Sequence, residues 1–139
     1  MRLPDAAMIA SLSLLAAGTA QAAPQQTTAD GVYTEAQAER GARVYAGSCV
    51  LCHGANLAGT YETPPLEGRF LPNWSGATLD KLFDYVSTAM PLHSPGALSP
   101  AESADVVAYI LQVNGMPAGS AELPARIDRL KTIQFRKTP

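Results

Sequence analysis

The sequence predicts an all-α fold: three to five short helices around a core too small to close with side chains alone. Three observations lead there. Apolar residues recur at helical spacing in separate stretches over residues 34–45, 79–89 and 99–113. Nowhere do apolar and polar residues alternate as they would along a half-buried strand. The chain's two cysteines both fall in Cys49-Val50-Leu51-Cys52-His53, and Cys-x-x-Cys-His is the attachment pattern of a c-type haem. A buried, covalently held porphyrin would complete a core that is marginal at this chain length.

The spacing within the motif has a chemical reason. Residues three apart share one face of a helical turn, so two thiols placed like Cys49 and Cys52 can reach neighbouring vinyl groups and form thioethers. The residue after the second thiol then lies beneath the iron, and the neutral imidazole of His53 is a good proximal ligand. Two other uses of the cysteines are weaker. A redox disulfide of the thioredoxin type wants a βαβ pattern around it, and none is visible. A structural zinc site wants four protein ligands. Cys49, Cys52, His53 and His93 could supply them, but adjacent Cys52 and His53 point in poorly matched directions for one tetrahedron.

At 139 residues the chain holds one domain at most. A formal net charge of −2 gives no case for nucleic acid. The first 22 residues read as an export signal. Arg2 supplies the positive start, Ala6 to Ala17 the apolar run, and Ala20-Gln21-Ala22 a small-x-small cleavage site. The run is too short, and too rich in Ala and Ser, to span a bilayer comfortably. The expectation is therefore a periplasmic protein of bacterial type, with no stable membrane insertion after cleavage. Export also means an oxidising compartment, where two thiols would not stay free.

Residues 23–32 form a polar leader without periodicity, expected to be disordered. The first helix is expected from Thr34 to about Tyr45, with Thr34 as N-cap and Gln37 completing a capping box. Ala38, Gly41, Ala42 and Tyr45 share a face, and Gly41 inside a helix suggests close approach of another helix. From Gly54 to Asn73, glycines and prolines break any regular pattern. A loop this long is uncommon unless it serves a ligand. Leu79, Leu82, Phe83 and Val86 mark a second helix, ended by Met90-Pro91. Ser99 as N-cap, Pro100 at the first helical position and Glu102 in a capping box open the clearest helix, which runs to Val113 and stops at Asn114-Gly115. A short helix around Ala125 to Leu130 follows in the tail, residues 125–139. Its basic cluster, Arg126, Arg129, Lys131, Arg136 and Lys137, reads as a solvated face.

A proximal histidine leaves one iron position open, and its occupant separates electron transfer from ligand chemistry. Three residues compete on the pattern alone. Met90 ends a helix and begins a proline-rich loop that could lay a thioether across the distal face. His93 lies in the same loop. Met116 follows the last helix, where it could equally be a core residue.

Over residues 33–124 the chain resembles a class I cytochrome c. Cys49, Cys52 and His53 match that family's haem-binding pentapeptide. Met90-Pro91, Pro95-Gly96, Leu98-Ser99, the run Asp105 to Leu111 and Asn114-Gly115 resemble a bacterial branch that includes the haem domains of quinoprotein alcohol dehydrogenases. The resemblance implies Met90 as distal ligand and a tight crossing of first and last helices, with Gly41 opposite Tyr109. It implies that a proline carbonyl in Pro64-Pro65-Leu66 accepts the proximal imidazole N–H, which puts Pro65 among the cofactor-binding residues, and that Trp74 lies near a haem propionate. Leu92-His93 departs from the family's methionine loop, where smaller or more polar residues are usual.

The expected function is that of a monohaem electron carrier with both axial positions filled, and not an enzyme. By analogy its partners are a quinoprotein dehydrogenase, a terminal oxidase or other cytochromes. The alternative is a haem protein with an open or labile distal site, acting as a peroxidase or gas sensor.

Overall fold

A computed structural model describes residues 25–136; the expected signal segment lies outside them. Among the described residues six helices follow one another: α1 (Glu35–Ser48), α2 (Val50–His53), α3 (Phe70–Trp74), α4 (Leu79–Ala89), α5 (Pro100–Val113) and α6 (Ile127–Leu130). The architecture is small and mostly helical, as expected, but with six helices rather than three to five among the described residues, two of them one-turn helices that the periodicity did not mark. No helix among the described residues is long and apolar enough to cross a membrane.

The frame is the crossing of α1 and α5, the most extensive contact between helices. Gly41 makes it possible. A Cβ built there would overlap the Asp105 carbonyl and lie 2.9 Å from Tyr109 Cβ, so the expected close approach opposite Tyr109 is present. At the edge of the crossing, Arg40 donates in bidentate fashion to Asp105 at 2.9 and 3.0 Å. It also donates to Glu122 at 2.9 Å. These two carboxylates, Asp105 first, push the Arg40 guanidinium pKa further upward.

Local signals set the helix ends. Ser99 Oγ accepts the Glu102 N–H at 3.2 Å while the Glu102 carboxylate accepts the Ser99 N–H at 2.9 Å, a complete capping box. At α1 only half of the expected box forms. Thr34 Oγ1 accepts the Gln37 N–H at 3.2 Å, but the Gln37 side chain does not turn back. It is buried, and its amide donates to the Leu123 carbonyl at 3.0 Å and accepts the Leu123 N–H at 2.6 Å. Tertiary pairing of an amide with a backbone donor and acceptor outcompetes the local cap.

The leader and the tail differ from expectation. Gln26–Thr27 forms a strand, β1, paired in parallel with Ile133–Gln134, β2. The Thr28 N–H donates to the Gln134 carbonyl, and Phe135 N–H to the Ala77 carbonyl, both at 2.9 Å. Thr28, Val32 and Tyr33 are buried, as are Leu130, Ile133 and Phe135. Residues 26–32 of the leader are thus ordered, and residues 130–135 of the tail are part of the same core. Each end satisfies its backbone groups with the other, which no local pattern can reveal.

The stretch 54–73 is not wholly irregular either. Phe70–Trp74 closes one helical turn despite Pro72, since proline is tolerated in a first turn. Phe70 anchors it in the core.

Candidate haem site

Cys49 ends α1 and begins α2. Its carbonyl accepts the Cys52 N–H at 3.2 Å and the His53 N–H at 3.0 Å, so the motif is wound into one turn whose geometry the backbone dictates. Gly54 follows at φ +77°, where a side chain would be strained, and its carbonyl accepts the Tyr45 hydroxyl at 2.6 Å. Burial, then the neighbouring Cys49 and Tyr109, push the Tyr45 hydroxyl pKa up to about 12. Burial, with the second thiol beside it, also raises the Cys49 pKa.

His53 is oriented through its other ring nitrogen. Nδ1–H donates to the Pro64 carbonyl at 3.2 Å, which leaves Nε2 as the ring's remaining donor atom. The expected acceptor in the Pro64-Pro65 step is therefore the carbonyl of Pro64, and Pro65 lines the wall. The loop between is folded back tightly. The Gly59 N–H donates to the His53 carbonyl at 2.9 Å. Gly59 sits at φ +71°, where an added Cβ would come within 2.8 Å of the Pro64 carbonyl carbon. Buried Leu57 holds a left-handed backbone at φ +61° and accepts the Leu66 N–H at 2.8 Å. The Leu66 carbonyl in turn accepts Asn114 Nδ2 at 2.8 Å, tying the loop to the end of α5.

These elements enclose a cavity of about 370 Å³. Cys49, Cys52, His53, Pro65, Trp74 and Met90 all line it, with Phe70, Leu82, Val86, Leu98, Val106 and Ile110 supplying apolar wall. His93 reaches the same cavity from the exposed part of its loop, while Met116 does not line it. Met116 instead offers its carbonyl to the Tyr33 hydroxyl at 2.6 Å. Phe70 is a wall residue that the sequence reading did not name, and Tyr45 and Leu66, though named, were not expected in the wall. Tyr45 was legible as an apolar helix position, but the contact of its hydroxyl with Gly54 was not. Among the described residues no three His, Cys, Asp or Glu side chains are gathered as a metal-binding group, so the four-ligand set of a zinc site is not assembled.

The sequence profile of the family described as cytochrome c oxidase, cbb3-type, subunit III matches residues 36–110, more than half of the chain. The chain belongs to this family of c-type cytochromes. The cytochrome is also similar to two curated proteins. It is 34% identical over 79 residues to the thiosulfate dehydrogenase of Stutzerimonas stutzeri (strain A1501), covering 51% of this chain and 25% of that protein. It is 36% identical over 85 residues to the thiosulfate dehydrogenase of Thiomonas intermedia (strain K12), covering 56% and 27%. The cytochrome thus matches only about a quarter of the length of these relatives. Among solved structures, the sulfane dehydrogenase SoxCD of Paracoccus pantotrophus aligns with a TM-score of 0.47 and 21% identity, over 74% of this chain and 61% of that one.

The family implies haem c, and the residues present fit it. The cavity is mainly apolar, carries two thiols three residues apart on one turn, and presents an imidazole whose Nδ1 is already engaged. That second bond is how proteins orient an imidazole ligand and choose its tautomer. Met90 adds a thioether to the same cavity, a soft donor of the kind that can ligate haem iron.

Proposed function

We propose that this cytochrome is an exported, periplasmic electron carrier with one haem c, attached through Cys49 and Cys52 and ligated by His53 and Met90. When bound, the group takes up and gives up single electrons. The chain's own residues do the rest. Pro64 holds His53 in one tautomer, Met90 would supply a thioether ligand that raises the potential, and the apolar wall would exclude water. The observation that carries this reading is the sharing of one apolar cavity by two thiols, a backbone-oriented imidazole and a thioether.

The partners are redox proteins. The donor expected by analogy, a quinoprotein dehydrogenase, has no counterpart among the relatives. Their names, both thiosulfate dehydrogenases, favour a donor from the oxidation of reduced inorganic sulfur compounds. With His53 and Met90 both offered to the iron, the chain would move electrons and transform no substrate of its own. Because the relatives are named as enzymes, a second reading has the cytochrome forming part of a thiosulfate-oxidising dehydrogenase.

Intact mass, oxidised and reduced visible spectra and a potentiometric titration of the periplasmically matured protein test the first reading. A processed chain without added tetrapyrrole would end it. Carbon monoxide binding to the ferrous protein would point to an open distal site instead. Direct reduction of the purified cytochrome by thiosulfate, with no other protein present, would favour the second reading.

A further inference from the structure

The two ends of the described chain lie outside the family-matched residues 36–110, yet they form part of the cavity's support. β1 and β2 pair across the molecule, Thr28 Oγ1 accepts the Arg136 N–H at 3.1 Å, and Gln134 bridges Thr78. This pairing fixes Phe135, whose N–H is held by the Ala77 carbonyl at 2.9 Å and which is 1% exposed. The Phe135 ring lies 5.8 Å from that of Trp74, and Phe70 flanks the same indole at 5.9 Å. Both distances fall within the range of favourable aromatic pairs. Trp74 and Phe70 line the cavity, whereas Phe135 does not. The indole therefore packs against both a wall residue and a residue carried by the paired ends.

We propose that Phe135 is a positioning residue for Trp74, and that the paired chain ends act through it to hold one wall of the haem cavity in place. This rests on the haem reading above. The α3–α4 turn explains why such support is needed. Trp74 is the last residue of a one-turn helix, and a single turn has little stability of its own. Loss of the Phe135 ring would remove one of the two aromatic rings that pack against the indole and loosen that wall of the cavity.

Trp74 is the only tryptophan of the chain, so its emission reports on this wall alone. The test uses the mature holoprotein of wild type, Phe135→Ala and Phe135→Leu, with Val107→Ala as a control for general loss of stability, since Val107 is fully buried away from the cavity. Haem quenches indole emission at short range. Phe135→Ala is expected to raise emission at least two-fold, increase its collisional quenching by acrylamide and lower the midpoint potential. Phe135→Leu, which keeps apolar volume and should fold even if the alanine variant does not, is expected to lie between Ala and wild type. Val107→Ala should match wild type in emission and potential. Emission and potential unchanged in Phe135→Leu and in folded Phe135→Ala would overturn the proposal. So would equal changes in Val107→Ala. Absence of haem from the wild-type protein would instead overturn the reading beneath it, which the mass of the untreated sample reveals separately.

Discussion

The two sides of the cavity are built to different standards. On the thiol side every turn of backbone is engaged. Cys49 accepts two N–H groups, His53 Nδ1 is bonded to Pro64, Gly59 bonds back to His53, and Tyr45 seals Gly54. On the methionine side, Met90 caps α4 and the chain then loops outward. Two turn bonds stiffen it, Ser94 N–H to the Pro91 carbonyl at 2.8 Å and Ala97 N–H to the Ser94 carbonyl at 3.2 Å, while Leu92 is 77% exposed. The difference teaches where the chain itself fixes a proposed ligand: ring and backbone hydrogen bonds hold His53, whereas the proposed thioether ligand Met90 stands at the end of α4, where an exposed loop begins.

The comparison can be broken outright on the thiol side. Cys49→Ser combined with Cys52→Ser should abolish covalent retention of colour, seen as complete loss of haem from the denatured band on a haem-stained gel. Next in size is the methionine side. Met90→Ala should keep the fold and the covalent haem, lower the potential and let the ferrous protein bind carbon monoxide, whereas His93→Ala should leave spectrum and potential as they are. An unchanged spectrum and potential in Met90→Ala, with a changed one in His93→Ala, would reverse the two roles.

The frame beneath the thiol side offers a third test. Gly41→Ala should force α1 away from Asp105 and cost about 3 kcal/mol by overpacking, read as a lowered midpoint in urea. Gln37→Ala leaves the Leu123 N–H and carbonyl unpaired in the core and should cost about 2 kcal/mol, read the same way.

The smallest effect concerns pH. The Tyr45 pKa is raised from its usual value of 10.0 to about 12 in the folded protein, so the folded state holds that proton more tightly than the unfolded chain. The resulting stability is fully present below about pH 10, the unfolded value, and is lost as pH rises through about 12. Unfolding midpoints between those limits should fall with pH in wild type, and more shallowly in Tyr45→Phe, which costs about 1 kcal/mol for the lost hydrogen bond to Gly54. An equal slope in both proteins would remove Tyr45 as the cause.

Much of the scaffold was legible because it is local. The periods of α4 and α5, the Ser99 and Thr34 caps and the cysteine–histidine turn depend on residues within a few positions of one another. The glycine at position 41 signalled a helix contact without naming the partner, which came from the family resemblance. What escaped is non-local. The leader looked polar and patternless because β1 meets its partner at the opposite end of the chain. Gln37 looked like a cap because Leu123 is 86 residues away. Pro72 masked α3, since proline signals a break although a first turn accepts it.

By itself the sequence determined the helices, the chemistry of the donor atoms and the group they suit, because spacing along one turn and the identity of sulfur and imidazole are properties of neighbouring residues. Only the tertiary structure decided that Pro64 rather than Pro65 orients the imidazole, that Met90 and His93 reach the cavity while Met116 does not, and that the chain ends reach Trp74 through Phe135. Those choices turn on which distant groups find one another when backbone and apolar surface are buried together, and no short stretch carries that information.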